Sequence, residues 1–198
     1  MVRALSVLLL ASTAFAQTKA TAFAVGKSLG NPKAPIRIEL FSDYQCPACK
    51  TFHEQTLLLL IKAYVNTGKV YLVHREFPLT QMHPHALAAA RIACAAEQVG
   101  RYTEVCDQLF RTQDSWTKTG DVAGAAASVL SVADARKLRD LAAAPQTAQA
   151  VEEDQRVGRD EKVTGTPTMI ITKVLSRYPV SGPVTYTVLS RFLDSILN

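Results

Sequence analysis

Two stretches of strand character flank a long apolar segment in the first half of the chain. Ile36, Ile38 and Leu40 alternate with Arg37 and Glu39 and predict a strand over 36–41. The segment 50–65 reads as a helix that opens at a pair of cysteines and stops at Asn66-Thr67-Gly68, an amide-then-glycine ending suited to a left-handed C-cap. A second strand is predicted over 69–77, with Val70, Leu72 and His74 on one face and Tyr71, Val73 and Arg75 on the other. Strand, helix and strand in this order imply two parallel strands joined by a crossover helix. From 78 to 163 the pattern is helical, with breaks near Gly100, Gly120 and Pro145. Strand character returns over 168–172 and 178–180, and a last helix is predicted over 184–197.

The N-terminus and the composition set the context for this pattern. Arg3 gives a short basic start, 4–11 is an apolar core too short to span a bilayer, and Ala14-Phe15-Ala16 fits a small-x-small cleavage site. Residues 1–16 therefore read as a signal peptide with a mature start at Gln17, an uncleaved anchor being the alternative. A periplasmic or otherwise extracytoplasmic location follows, and there disulfides persist. Removing 16 of the 198 residues leaves 182, and the loss of Arg3 lowers the net charge from +5 to +4. Basic and acidic residues are interleaved with no basic stripe carrying aromatics, which argues against nucleic-acid binding. Setting aside the helical block leaves about 96 residues, the size of a compact domain. The block 78–163 thus reads as an insertion between the second strand and the later ones, packed against its parent by short connections.

Cys46-Pro47-Ala48-Cys49 carries the candidate chemistry. A cysteine at the first turn of a helix faces unpaired N–H groups and the positive end of the helix dipole, both of which favour thiolate. Thiolate is the attacking species in disulfide exchange. Pro47 suits the first turn because its missing N–H is not needed there, and Cys49 is near enough to close a disulfide onto Cys46. Two other readings stand beside a redox-active dithiol. One is a metal cluster of Cys46, Cys49 and His53, and the other is a purely structural disulfide, disfavoured because so short a loop removes little denatured-state entropy.

Phe41-Ser42-Asp43-Tyr44-Gln45-Cys46-Pro47-Ala48-Cys49, with Thr164-Gly165-Thr166-Pro167-Thr168 downstream, resembles the DsbA-like thiol:disulfide oxidoreductases. His83-Pro84-His85-Ala86 and Glu97-Gln98-Val99-Gly100-Arg101-Tyr102 add to the resemblance, which spans essentially the whole mature chain. It implies an α/β, thioredoxin-like fold over 17–77 and 164–198 with an inserted α-helical domain over 78–163. Cys46 would be the exposed nucleophile, Cys49 the buried resolving partner and Pro167 a cis-proline beside them. Thr166 would offer its backbone to an extended substrate peptide. The resemblance further implies a monomer without cofactor or metal. It would introduce disulfides into unfolded or partly folded exported proteins and be reoxidised by a membrane quinone-linked thiol oxidase. A reductase or isomerase of the same fold is the nearest alternative, and a copper or zinc carrier a more distant one.

Two departures bear on mechanism. The family often carries a buried acid six residues before the first cysteine, thought to assist proton transfer from the resolving thiol; here that residue is Leu40. Glu39 points to the opposite face of the strand, Asp43 and Glu54 read as solvated, and the proton-transfer residue stays unassigned. The dipeptide Pro47-Ala48 offers no polar side chain to the Cys46 thiolate, which argues for a milder oxidant than the strongest family members. Cys94 and Cys106 lie six residues either side of Gly100, so a helical hairpin turning there would let them face each other. A structural disulfide of about 3 kcal/mol is then expected, with free thiols or a second redox pair as the alternatives. The histidines read as structural: His83 at a helix start, His53 packed or on the surface, and His74 in the second strand.

Overall fold

A computed structural model describes residues 27–198; the expected signal peptide lies outside the described residues. Five strands form one sheet in the order β1-β3-β2-β4-β5: β1 (Ser28–Leu29), β2 (Ile36–Ser42), β3 (Val70–Glu76), β4 (Thr168–Lys173) and β5 (Ser176–Ser181). β2 and β3 pair in parallel with Leu40 opposite His74, and every other pair is antiparallel. The crossover between them is one helical segment over 47–65. It comprises α1 (Pro47–Phe52), a π turn (His53–Leu57), α2 (Leu58–Leu60) and a second π turn (Ile61–Val65). Gly68 ends it at φ 76°, the left-handed stop expected there.

Alternation along the strands assigns the two faces of the sheet. Ile36, Ile38, Leu40, Val70, Leu72, Met169 and Ile171 are buried under Phe52, Leu57 and Leu60 of the 47–65 segment and under Leu189 and Leu193 of α9 (Tyr186–Leu197). Each such side chain contributes about 1.5–3 kcal/mol by leaving water. Phe41, Phe77 and Ile170 occupy the other face beneath Val163 and Val157.

The block between β3 and β4 is helical, as the pattern predicts. It comprises α3 (Ala86–Gln98), α4 (Tyr102–Arg111), α5 (Gln113–Thr119), α6 (Val122–Ala127), α7 (Val132–Ala143) and α8 (Pro145–Asp160). The breaks coincide with Gly100 and Gly120, both at positive φ, and with Pro145 at the first turn of α8. Ala89, Ala93 and Ala96 bring α3 close to its neighbours, and Leu109, Trp116 and Leu138 fill the space between. Tyr44, Cys46 and Cys49 belong to this same buried cluster, so the core of the helical block runs directly into the cysteine loop.

Cys94 and Cys106 depart from expectation. The α3–α4 hairpin forms, yet both cysteines are free thiols in different surroundings. Cys94 packs with Ala90 and Val151 and lies 3.6 Å from Lys27 Nζ, whereas Cys106 lies 2.9 Å from the Tyr44 hydroxyl. The rotation of each helix about its own axis, set by which alanines and aromatics it buries, turns the two sulfurs to different neighbours.

Candidate active site

β2 ends at Ser42 and the chain turns into α1 through Asp43, Tyr44 and Gln45, residues held mainly by the helical block. Asp43 is 1% exposed: Oδ1 accepts from Gln45 N at 2.7 Å, and Oδ2 accepts from Leu79 N at 2.9 Å and pairs with His83 Nδ1 at 2.7 Å. The solvated role expected for Asp43 is thus overturned, because three donors replace its water. Glu54 is exposed, as read. Gln45 Oε1 accepts from His85 N, and Gln113 Nε2 donates to the carbonyls of Tyr44 at 2.7 Å and Cys46 at 3.1 Å. The clamps from Leu79, His83, His85 and Gln113 were not apparent from the sequence, since each joins residues far apart in the chain.

Cys46 is the N-cap of α1 with extended backbone (φ −74°, ψ 122°), and its carbonyl accepts from the N–H groups of Cys49 and Lys50. Pro47 follows in the first turn. The Thr166–Pro167 peptide is cis, and Thr166 O lies 3.5 Å from Cys46 Sγ. Cys46 retains 7% exposure against 1% for Cys49, so the expected exposed nucleophile is in fact a sulfur with a narrow opening to solvent. The pKa of Cys46 is pushed down to about 5, first by a hydrogen bond from the Cys49 thiol. Burial opposes this shift, while the Thr166 hydroxyl and the N–H groups of Cys49 and Ala48 support it. Burial, then the neighbouring Cys46 sulfur, drives the Cys49 pKa well up. One sulfur is therefore a thiolate at neutral pH and the other a thiol. The Thr166 hydroxyl is buried and makes no full hydrogen bond, so it is free to turn toward the sulfurs.

Behind Cys49 lies a cavity of about 40 Å³, room for about two or three water molecules. Leu40, His53, His74, Glu76, Cys106 and Asp107 contribute to its wall. Leu40 therefore presents hydrocarbon at the position where an acid was sought. Glu39 is turned away, held by Arg75 at 2.7 Å. Glu76, missed by sequence reasoning, is 1% exposed, with Oε1 near the hydroxyls of Tyr44 (3.4 Å) and Tyr102 (3.2 Å). Burial, offset by the charge of Lys27, leaves its pKa raised to about 8. Burial first, then the charges of His53 and Lys27, lowers the His74 pKa to about 3. Lys27 itself ion-pairs with buried Asp154. Among the described residues no group of three or more His, Cys, Asp and Glu is placed to hold a metal ion, and the Cys46/Cys49/His53 cluster does not form. His53 Nε2 instead pairs with Asp107 at 2.9 Å.

Comparison with known proteins places this geometry. A probable disulfide bond formation protein D from Bacillus anthracis is 24% identical over 154 residues, covering 76% of this chain and 71% of that one. The solved structure of Wolbachia pipientis alpha-DsbA1 superposes with a TM-score of 0.71 at 20% identity, covering 85% and 89% of the two chains. A thioredoxin-like oxidoreductase from Silicibacter pomeroyi superposes with the same TM-score at 26% identity, covering 87% and 92%. Residues 24–195 match the family described as Thioredoxin. With the sheet order, the cysteine pair at the start of α1 and the cis-proline beside it, the chain belongs to the thioredoxin family and has the fold of its DsbA-type members.

Proposed function

We propose that the chain is an extracytoplasmic thiol:disulfide oxidoreductase that introduces disulfides into exported proteins through Cys46 and Cys49. In the oxidised enzyme a substrate thiolate attacks Cys46 Sγ. The Cys46–Cys49 bond breaks, and Cys49 leaves with the electron pair and takes up a proton. A second substrate thiolate then attacks the substrate sulfur of the mixed disulfide and expels Cys46 as thiolate. Two electrons have passed from the substrate dithiol to the enzyme, and a membrane quinone-linked thiol oxidase would remove them. The observation that carries the direction is the Cys46 thiol held at a pKa of about 5, because a low-pKa thiol is the better leaving group. Support for the roles comes from the narrow opening at Cys46, the near-complete burial of Cys49, and the Thr166–Pro167 backbone beside them as a surface for an extended peptide. In this reading 78–163 is an inserted helical domain whose Gln113 and His83 brace the loop carrying the nucleophile.

Equilibration with glutathione, in a variant with Cys94 and Cys106 both changed to Ala, tests the direction. A reduction potential of about −120 to −180 mV is expected for a disulfide donor. A value near about −270 mV would match thioredoxin-like reductants and reverse the assigned direction with the site unchanged.

A further inference from the structure

Exchange at Cys46 requires Cys49 to gain or lose a proton at each turn, yet Cys49 is 1% exposed and Leu40 beside it cannot carry one. His53 lies one helical turn beyond Cys49, its N–H bonded to the Cys49 carbonyl, so both side chains project from the same side of the segment. Its ring is stacked on Phe110 at 4.7 Å and lines the cavity that Cys49 lines. Nε2 is engaged by Asp107, while Nδ1 is buried without a hydrogen-bond partner. A neutral imidazole that gives its Nε2 proton to a carboxylate keeps an acceptor lone pair on Nδ1. An unsatisfied buried nitrogen is costly, and water in the cavity beside it would satisfy it. Asp107 is 44% exposed, so the pair spans from the cavity to solvent.

We propose that His53, positioned by Asp107, is the proton carrier of Cys49. When a substrate thiolate opens the Cys46–Cys49 bond, His53 first takes a proton from solvent at Nδ1 through the cavity water. The imidazolium passes that proton to the departing Cys49 sulfur and returns to the neutral form with Nε2–H kept on Asp107. When Cys49 attacks a mixed disulfide at Cys46, Nδ1 takes that proton back, the Cys46–Cys49 bond forms, and the other thiolate leaves with the electron pair. The cavity holds rival groups. α4 presents Asp107, Cys106 and Tyr102, β3 presents His74, Arg75 and Glu76, and Tyr44 comes from the loop before α1. His74 is too weak a base, as its low pKa records. Glu76 is already engaged by two tyrosines and has no exposed partner to pass a proton outward. Lys27, beyond it, is occupied by Asp154.

The inference rests on the exchange reaction proposed above, and two kinetic steps separate the two ideas. Reduced protein is mixed with oxidised glutathione, and acid-quenched mass analysis follows first the bimolecular attack by Cys46 and then the unimolecular closure by Cys49. In His53→Gln the attack should stay within about twofold of wild type while closure slows about 100-fold, the scale of general acid–base catalysis. Its closure rate should rise about tenfold per pH unit throughout the neutral range, where wild type departs from that slope. Asp107→Asn, at an exposed position, should slow closure by about tenfold if His53→Gln does not fold. Wild-type closure and pH profile retained in both folded variants would overturn the proposal, as would transfer of the defect to Glu76→Gln alone. Wild type failing the first step would sink the exchange reading itself.

Discussion

Thr166 is the side chain outside the cysteine pair that bears on both sulfurs. Its buried hydroxyl acts to lower the pKa of both Cys46 and Cys49 and is bound to no other group. A hydrogen bond to a charged group is worth about 1.5–3 kcal/mol, and one pKa unit about 1.4 kcal/mol. Thr166→Val keeps the shape and should raise the Cys46 pKa by about one unit, read from ultraviolet thiolate absorbance. The disulfide should become less oxidising by roughly 30 mV. An unchanged titration would show that the hydroxyl does not reach the thiolate. Cys46, Cys49, Thr166 and Pro167 were legible because each sits in a short local motif. Asp43 was misread because a carboxylate in a polar loop is usually solvated, and two of its three donors, Leu79 N and His83 Nδ1, come from another part of the fold. The His53–Asp107 pair was hidden for the same reason: its members lie on separate helical elements and meet only after α4 docks.

At the scale of elements, α8 is held against the sheet by an absence of side chain. A Cβ built on Gly158 would stand 2.4 Å from Phe77 Cε2 and 3.2 Å from Phe41 Cδ1, so Gly158 lets the helix backbone lie on two aromatic rings. Alanine improves helix propensity by about 0.8–1 kcal/mol, but overpacking costs about 1–3 kcal/mol. Two rings that are themselves packed edge to face, 6.1 Å apart, leave little room to yield. Gly158→Ala should therefore lower stability by about 1 kcal/mol or more in urea titration; a stabilised variant would mean that α8 can lift without loss. Most elements were legible because glycine and proline punctuate them at Gly68, Gly100, Gly120 and Pro145. β1 was not, because two residues carry no periodicity and Ser28–Leu29 becomes a strand only by pairing with β3. Nor was the facing of Cys94 and Cys106, since a hairpin fixes the level of two residues but not the rotation of the helices that bear them.

For the molecule as a whole, the thiolate couples fold stability to redox state. Cys46 has a pKa of about 5 in the folded chain and an unperturbed thiol about 8.5. A lowered folded pKa adds stability that is full above the unfolded value and is lost as pH falls through the folded one. Between about pH 5 and pH 8.5 the reduced chain should therefore gain stability with rising pH. The oxidised chain has no such thiol to titrate. Cys49 remains protonated through this window, because its own pKa is pushed the other way. Glu76, with a pKa of about 8, titrates in both redox forms and cancels from their difference. The melting temperature of the reduced form should thus exceed that of the oxidised form by a margin that widens by several degrees from pH 5 to pH 8.5 and closes below it, measured by paired thermal melts. A margin independent of pH would exclude a stabilised Cys46 thiolate. In the proposed reaction the same free energy that favours the folded reduced chain would drive the disulfide onto a substrate, so oxidising power and the slope of this margin should change together. Thr166→Val, which weakens the thiolate, should flatten the margin and lower the potential in one step.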